Sequence, residues 1–403
     1  MIKMAIYGYG TVGSGVAEVL RTNHAEINKK SGEEIELKYI LDLREFPGDI
    51  EEDKITHNVD DILEDPEIQI ICETMGGLKP AYDYTKRALL KGKSVCTSNK
   101  ELVATHGPEL IRLAKENHCN YLFEASVGGG IPIIRPINYS LTSERIEKIA
   151  GILNGTTNYI LTKMDKEGAD YETCLKEAQA LGYAERNPEA DVEGYDACRK
   201  IAILSSLMYG KNVKYEDIYT EGITKITKED FIYAHELNMT IKLLAMSKSE
   251  GDSCFAMVAP FLVPSDHPLY VVNDVYNGIF VHGNMLGDTM YYGRGAGKLP
   301  TASAVISDVV DCARHLGKTV MTFWEDEDVK LTSVENARHQ YLVRLSVSVS
   351  TEKAMETFGT KKMIRSNELI DEYAIITDEM SEKEFAEKLK ECDTISSLRI
   401  ESR

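Results

Sequence analysis

Met4-Ala5-Ile6-Tyr7-Gly8-Tyr9-Gly10-Thr11-Val12-Gly13 is the stretch on which the fold turns. Its first four residues are apolar and read as a short strand, its glycines fall at GxGxxG spacing, and residues 14–20 carry a helical pattern. A lone GxGxxG is a weak signal, but a strand before it and a helix after it give it the setting of a dinucleotide-binding turn. Gly8 then permits the tight turn, Gly10 lets the backbone approach a pyrophosphate, and Gly13 lets the helix pack on the strand. Thr11 and Val12 complete the loop, where phosphates would meet free N–H groups at the positive end of the helix dipole.

Working outward, a second strand over Ile35–Leu41 ends at Asp42. A carboxylate there suits the ribose hydroxyls of NAD, whereas Arg44, two residues on, suits the 2′-phosphate of NADP. The two cues point opposite ways, and both cofactors stay open. Residues 68–72 and 80–90, then 94–97 and 101–117, repeat the strand–helix alternation, which predicts an α/β fold with a parallel, doubly wound Rossmann sheet. Ser98 and Glu101 stand at capping-box spacing, placing Lys100 in the first turn of a helix just past a strand's carboxyl end. A cation there opposes the helix dipole and lies on the sheet edge where ligands bind, so Lys100 is a candidate functional residue.

The segment Gly182-Tyr183-Ala184-Glu185-Arg186-Asn187-Pro188-Glu189-Ala190-Asp191-Val192-Glu193-Gly194-Tyr195-Asp196-Ala197-Cys198-Arg199-Lys200 is the most informative of the middle third. Leu175, Ala178 and Leu181 share one face of a helix that stops at Gly182. After a polar loop, a second helix is expected over 192–209, ending at Gly210. Asp196 and Lys200 stand four apart and share its face. Ile203 and Leu207 continue that stripe and the neighbouring positions are apolar, so the pair should be buried. A lysine buried beside a carboxylate is costly and points to a use. Glu185 and Asp191 lie in or beside the loop, within reach of a cationic group on a substrate. Residues 124–132 and 151–158 are glycine-rich and let backbone face a ligand closely. Residues 292–297 are glycine-rich too and precede a helix over 301–316, expected to pack back on the first domain.

Length and composition bound these readings. A chain of 403 residues should divide into two or three domains. Hydrophobic residues at 43% and charged residues at 28% are ordinary globular values. A net charge of −19 opposes nucleic acid and anionic membrane surfaces. The eight cysteines show no CxxC spacing, which fits reduced cytosolic thiols. No run approaches the ~18 apolar residues of a spanning helix, and the immediate strand and glycine loop leave no room for a signal peptide, so a cytoplasmic location is expected.

At the C-terminal end, Val343, Leu345, Val347 and Val349 alternate with polar residues as in a strand. A helix over 351–358, strands over 362–369 and 373–377, a helix starting at Ser381 with Glu384, and a strand over 395–401 complete a βαββαβ order. A phosphorylating or oxidising aldehyde dehydrogenase would need a cysteine nucleophile, and none stands in the 182–200 segment. A non-enzymatic dinucleotide sensor is the other alternative; the set of Lys100, Asp196 and Lys200 argues against it.

Ala178-x3-Gly182-Tyr183 through Asn187-Pro188-x2-Asp191-Val192-x-Gly194-x-Asp196-x3-Lys200 resembles the signature of the homoserine dehydrogenase family, with every fixed position present. Gly8–Gly13, Asn99-Lys100, 124–132, Gly155-Thr156 and 293–297 follow in the family's order, over essentially the whole chain. The resemblance implies reversible NAD(P)H-dependent reduction of L-aspartate 4-semialdehyde to L-homoserine, on the route from aspartate to threonine, methionine and isoleucine. It implies Lys200 as proton donor to the carbonyl oxygen, Lys100 in contact with cofactor and substrate, and Asp196 orienting both substrate and lysine. It further implies Glu185 as the binder of the substrate ammonium, with Tyr183, Gly155, Thr156 and Asp191 nearby. A sodium-type ion held by backbone oxygens around Glu124, Val127, Gly129 and Ile131 would be structural rather than catalytic; an all-oxygen shell suits a hard cation. The implied organisation is a Rossmann domain over 1–130 completed by 296–320, an α+β substrate and dimerisation domain over 131–295, and an ACT-like domain over 340–403. That last segment lacks the acidic-Pro-Gly turn of amino-acid-binding ACT domains, so support of a homodimer is its expected role.

Overall fold

Runs of β-branched and aliphatic residues become strands wherever both faces are covered, and the N-terminal stretch is the clearest case. The computed structural model describes residues 1–251 and 253–401, and all their side chains except those of Glu250 and Lys361. The chain divides into two compact units, one of residues 1–144, 202–215 and 293–329, the other of 145–201, 216–292 and 330–403.

In the first unit six strands form a sheet in the order Ile55–Thr56, Ile35–Leu41, Ile2–Tyr7, Ile68–Glu73, Ser94–Thr97, Tyr121–Leu122. Every pairing is parallel. This is the doubly wound sheet expected, and its order reverses at Ile2–Tyr7, so a crevice opens at that strand's carboxyl end. Ile6 and Val16 are wholly buried in one core with Ala302, Val305 and Val309 of the helix Lys298–Arg314. That helix packs on the helix Thr11–Thr22 closely enough that a Cβ on Gly15 would lie 2.8 Å from the Lys298 carbonyl oxygen. It begins three residues before the expected 301, because proline is tolerated in a first helical turn and Pro300 falls there.

In the second unit the sheet runs in the order Gly287–Arg294, Tyr276–Gly283, Ile146–Ile152, Met239–Glu250, Ser253–Pro264, Thr394–Ile400, Arg338–Ser346, Glu372–Thr377, Thr360–Ile364. Residues 338–400 keep the βαββαβ order, with helices Thr351–Phe358 and Glu382–Leu389. Their sheet is continuous with the substrate-side sheet, because Thr394–Ile400 pairs in parallel with Ser253–Pro264. Two expectations are corrected. The strand thought to reach Val349 ends at Ser346, where the Val349 amide turns back to the Ser346 carbonyl at 3.0 Å. The helix expected over 192–209 is a short turn, Glu189–Val192, followed by Tyr195–Tyr209, with the break at Gly194 (φ +84°). Among the described residues no helix is long and apolar enough to cross a membrane.

Candidate active site

The turn after the first strand is held from outside by Thr74, whose Oγ1 donates to the Tyr7 and Gly8 carbonyls at 3.0 and 2.8 Å. Gly8 takes φ +88°, and a Cβ there would sit 2.9 Å from Met75 Cγ; one on Gly13 would sit 1.9 Å from the Gly8 carbonyl oxygen. Both positions therefore need glycine for packing. Gly10 differs: nothing lies within 4 Å of where its Cβ would be. Gly10 is the N-cap of Thr11–Thr22 and makes no side-chain cap, and no acidic residue stands in the first turn. Open space, uncapped N–H groups and the positive dipole end meet at one place, which is what a pyrophosphate requires.

Asp42 and Arg44 are paired with each other. Arg44 donates from its backbone N and from Nε to Asp42 Oδ1, and from Nη2 to Oδ2, each at 3.0 Å. The Tyr9 amide donates to Oδ2 at 2.8 Å. The guanidinium holds the Asp42 carboxyl down at about 2. Arg44 also lies over the Phe46 ring, 5.0 Å from its centroid.

Lys100 is the first residue of the helix Lys100–Glu116, but the cap is Asn99, not Ser98: Asn99 Oδ1 accepts from the Leu102 amide at 3.1 Å. The reason lies one layer down. Thr97 Oγ1 accepts from the Asn99 amide at 2.9 Å and donates to Glu73 Oε2 at 2.6 Å, while Glu73 Oε1 accepts from the Met75 amide at 2.9 Å. Glu73 is fully buried, and burial pushes its carboxyl up. It joins the loops at the ends of two neighbouring strands and so fixes the turn that presents Lys100, and no local pattern marks it.

In the second unit Lys200 Nζ donates to Asp196 Oδ2 at 2.6 Å and to the Leu153 carbonyl at 2.7 Å. Only 11% of the Lys200 side chain and 6% of the Asp196 side chain are exposed, as the apolar helix face predicts. Asn154 was not singled out from the sequence and organises the cluster. Its Oδ1 caps the helix Gly155–Glu167 by accepting from the Thr157 amide at 2.9 Å. Its Nδ2 donates to Asp191 Oδ1 at 2.7 Å and to Asp196 Oδ2 at 2.9 Å. The signal was present: Asn directly before Gly-Thr-Thr is an N-cap position. Thr156 Oγ1 donates to the Tyr183 carbonyl at 2.6 Å, and Tyr183 sets its ring edge-on to Tyr159. Gly155, Thr156, Tyr183, Asp191, Asp196 and Lys200 thus share one hydrogen-bonded neighbourhood. Glu185 lies exposed on its edge, its carbonyl accepting from Gln179 Nε2 at 3.1 Å.

The loop from Glu124 to Ile131 is buried apart from Gly130. The Glu124 carboxylate accepts from the amides of Ile133, Ile134 and Arg135 at 2.6, 3.0 and 2.7 Å. Its side chain is spent on the backbone, so any cation in this loop would meet carbonyl oxygens. Gly129 is at φ +56°, and a Cβ there would lie 2.4 Å from the Gly295 carbonyl oxygen. Among the described residues no group of three or more His, Cys, Asp or Glu could hold a metal. All eight cysteines are buried and reduced, and burial pushes the thiols of Cys72, Cys96, Cys119, Cys174 and Cys198 up, the reverse of what a nucleophile needs.

Comparison with known proteins places the chain. Residues 8–124 match the family model described as the NAD-binding domain of homoserine dehydrogenase, and residues 132–310 match the homoserine dehydrogenase model. A homoserine dehydrogenase of Bacillus subtilis is 38% identical over 416 aligned positions, covering 99% of this chain and 96% of the relative. One of Synechocystis is 42% identical, covering 86% and 79%. The crystal structure of a homoserine dehydrogenase from Thiobacillus denitrificans superposes with a TM-score of 0.90 at 35% identity, covering 100% of this chain and 98% of that one. A hyperthermophilic archaeal homoserine dehydrogenase in complex with NADPH matches with a TM-score of 0.68 at 29% identity, covering 80% and 99%. By sequence across its whole length and by fold, the chain belongs to the homoserine dehydrogenase family, NAD(P)-dependent oxidoreductases acting on a CH–OH donor.

Proposed function

We propose that the chain interconverts L-aspartate 4-semialdehyde and L-homoserine with NAD(P)H, using Lys200 as the proton donor. The observation that carries this is the Lys200 ammonium, kept from solvent and aimed by the Asp196 carboxylate and the Leu153 carbonyl. A bound nicotinamide cofactor supplies or accepts the hydride. Reduction of an aldehyde leaves negative charge on its oxygen, and an ammonium held beside that oxygen stabilises the charge and delivers a proton. Asp196 orients the ammonium. The substrate's own ammonium is assigned to Glu185 and Asp191, with Tyr183, Gly155 and Thr156 forming the remaining wall. Lys100 contacts cofactor and substrate.

Gly8, Gly10, Thr11, Val12 and Gly13 would hold the pyrophosphate, and Asp42 and Arg44 the adenosine end. NAD would have to draw the Asp42 carboxylate away from Arg44, and NADP would have to draw Arg44 away from Asp42; either is a local exchange of partners. Carbonyl oxygens of Glu124, Val127, Gly129 and Ile131 would hold a monovalent cation as a structural element. A cytoplasmic homodimer, with residues 340–403 as an ACT-like support, completes the proposal. Absorbance of the reduced nicotinamide, followed on adding homoserine with each cofactor in turn, tests it; no homoserine-dependent change with either would sink it.

A further inference from the structure

Lys242 plays no part in the proposed proton transfer, yet it is a buried ammonium in the same unit. It lies in the strand Met239–Glu250 and is 1% exposed. Its Nζ donates to three uncharged oxygens: the Val272 carbonyl at 2.7 Å, Asn273 Oδ1 at 3.0 Å and Asn158 Oδ1 at 3.3 Å. Two of these belong to the segment 271–276 and the third to the helix Gly155–Glu167. A buried cation is costly unless it is well satisfied. Burial pushes this one down to about 8, and the charged groups around it are Asp165 and Lys166 on the helix and Asp274 on the segment.

The same two elements are tied a second time. Asn158 Nδ2 donates to the carbonyls of Val272, Asp274 and Tyr276 at 3.2, 3.0 and 3.0 Å. Thr162 Oγ1 accepts from the Asp274 amide at 3.0 Å. One ammonium, one amide and one hydroxyl thus gather residues 272–276 onto a single helix. At the end of that segment the Val275 carbonyl oxygen lies 2.9 Å from where a Cβ on Gly155 would be. Next to it Asn277 is wholly buried with both side-chain amide atoms unpartnered, Oδ1 being 3.7 Å from the same point. Buried amides ordinarily find partners. Here the segment holds its place against the helix end although a neighbouring amide goes unsatisfied.

We infer that Lys242 is a positioning residue for substrate binding: through Asn158 and residues 272–276 it sets where Gly155 and Thr156 present the helix end to the amino-acid substrate. This rests on the proposed role of Gly155 and Thr156. Displacement of a binding group by about 1 Å can cost about 100-fold, and loss of binding shared by ground and transition states appears in KM rather than kcat. In Lys242→Met, of similar length and without charge, KM for homoserine should rise about tenfold or more while kcat falls less than about threefold and the cofactor KM holds. Amide hydrogen exchange across 272–276 and the first turn of the helix should quicken. A folded K242M with unchanged homoserine KM and exchange overturns the inference, as does a loss spread equally over kcat and both KM values. Should K242M not fold, Asn273→Ala, which removes one acceptor from a half-buried loop position, should raise the homoserine KM about threefold; an unchanged KM overturns the inference. Absence of homoserine turnover in the wild-type protein would instead sink the reaction, and exchange in K242M would still decide the clamp.

Discussion

The helices Thr11–Thr22 and Gly155–Glu167 each start just after a strand, and their ends are finished in opposite ways. Thr11–Thr22 begins at Gly10, with no side-chain cap and no acid in its first turn. Gly155–Glu167 begins at Asn154, whose side chain both caps the helix and binds two aspartates. The first end keeps its N–H groups uncapped and has no acid in its first turn, so it can take an anion from outside. The second closes one N–H with its own side chain and collects carboxylates, one of which orders the Lys200 ammonium. On the proposed assignment, the same local geometry would serve phosphate or amine according to a single cap residue.

The contrast can be broken most sharply on the amine side. Lys200→Ala should lower kcat about 100- to 10,000-fold, the usual range for loss of a positioned general acid; a loss of less than about threefold in steady-state assays would remove Lys200 from the chemistry. Asn154→Ala takes away the cap and the donor shared by Asp191 and Asp196. It should cost about 1–2 kcal/mol in denaturant unfolding and lower turnover about tenfold through a misplaced Lys200. An N154A enzyme with wild-type turnover would show that the lysine is aimed without it. Gly10→Asn converts the first helix end into a likeness of the second. Stability should rise by no more than a few tenths of a kcal/mol, while the cofactor KM rises about fivefold as the N–H groups are taken up; an unchanged cofactor KM would deny that the open end holds phosphate. The smallest effect concerns Asp42. Its folded-state carboxyl lies at about 2, below the unfolded value of about 3.9. The stability it contributes is therefore present above about pH 4 and lost as pH falls towards 2. Asp42→Asn should flatten that part of the acid-unfolding curve, and an unaltered curve would mean that the Arg44 pair contributes nothing.

What could be read in the residues follows the same line. The glycine turn was legible because spacing, strand and helix are all local. The Asp196–Lys200 pair was legible because four residues is one helical turn. Asn154 reaches Asp196 over 42 positions, Glu73 reaches Thr97 over 24, and Lys242 reaches Val272 over 30; no periodicity encodes such partners. The cap falls at Asn99, one residue past the capping-box serine, for a related reason: Thr97 and Glu73 fix that turn from beneath.

The strand Thr394–Ile400 stands between Ser253–Pro264 and Arg338–Ser346, and Glu401 beyond it pairs with Lys148 on the far strand Ile146–Ile152. An interior place in the sheet is filled by residues made after all the others it touches. A nascent chain halted at residue 393 would carry two sheet edges awaiting the same missing strand, each open to pairing with another chain. The sheet of this unit thus cannot close until residues 394–400 are in place, and pairing between half-made chains is the hazard that follows.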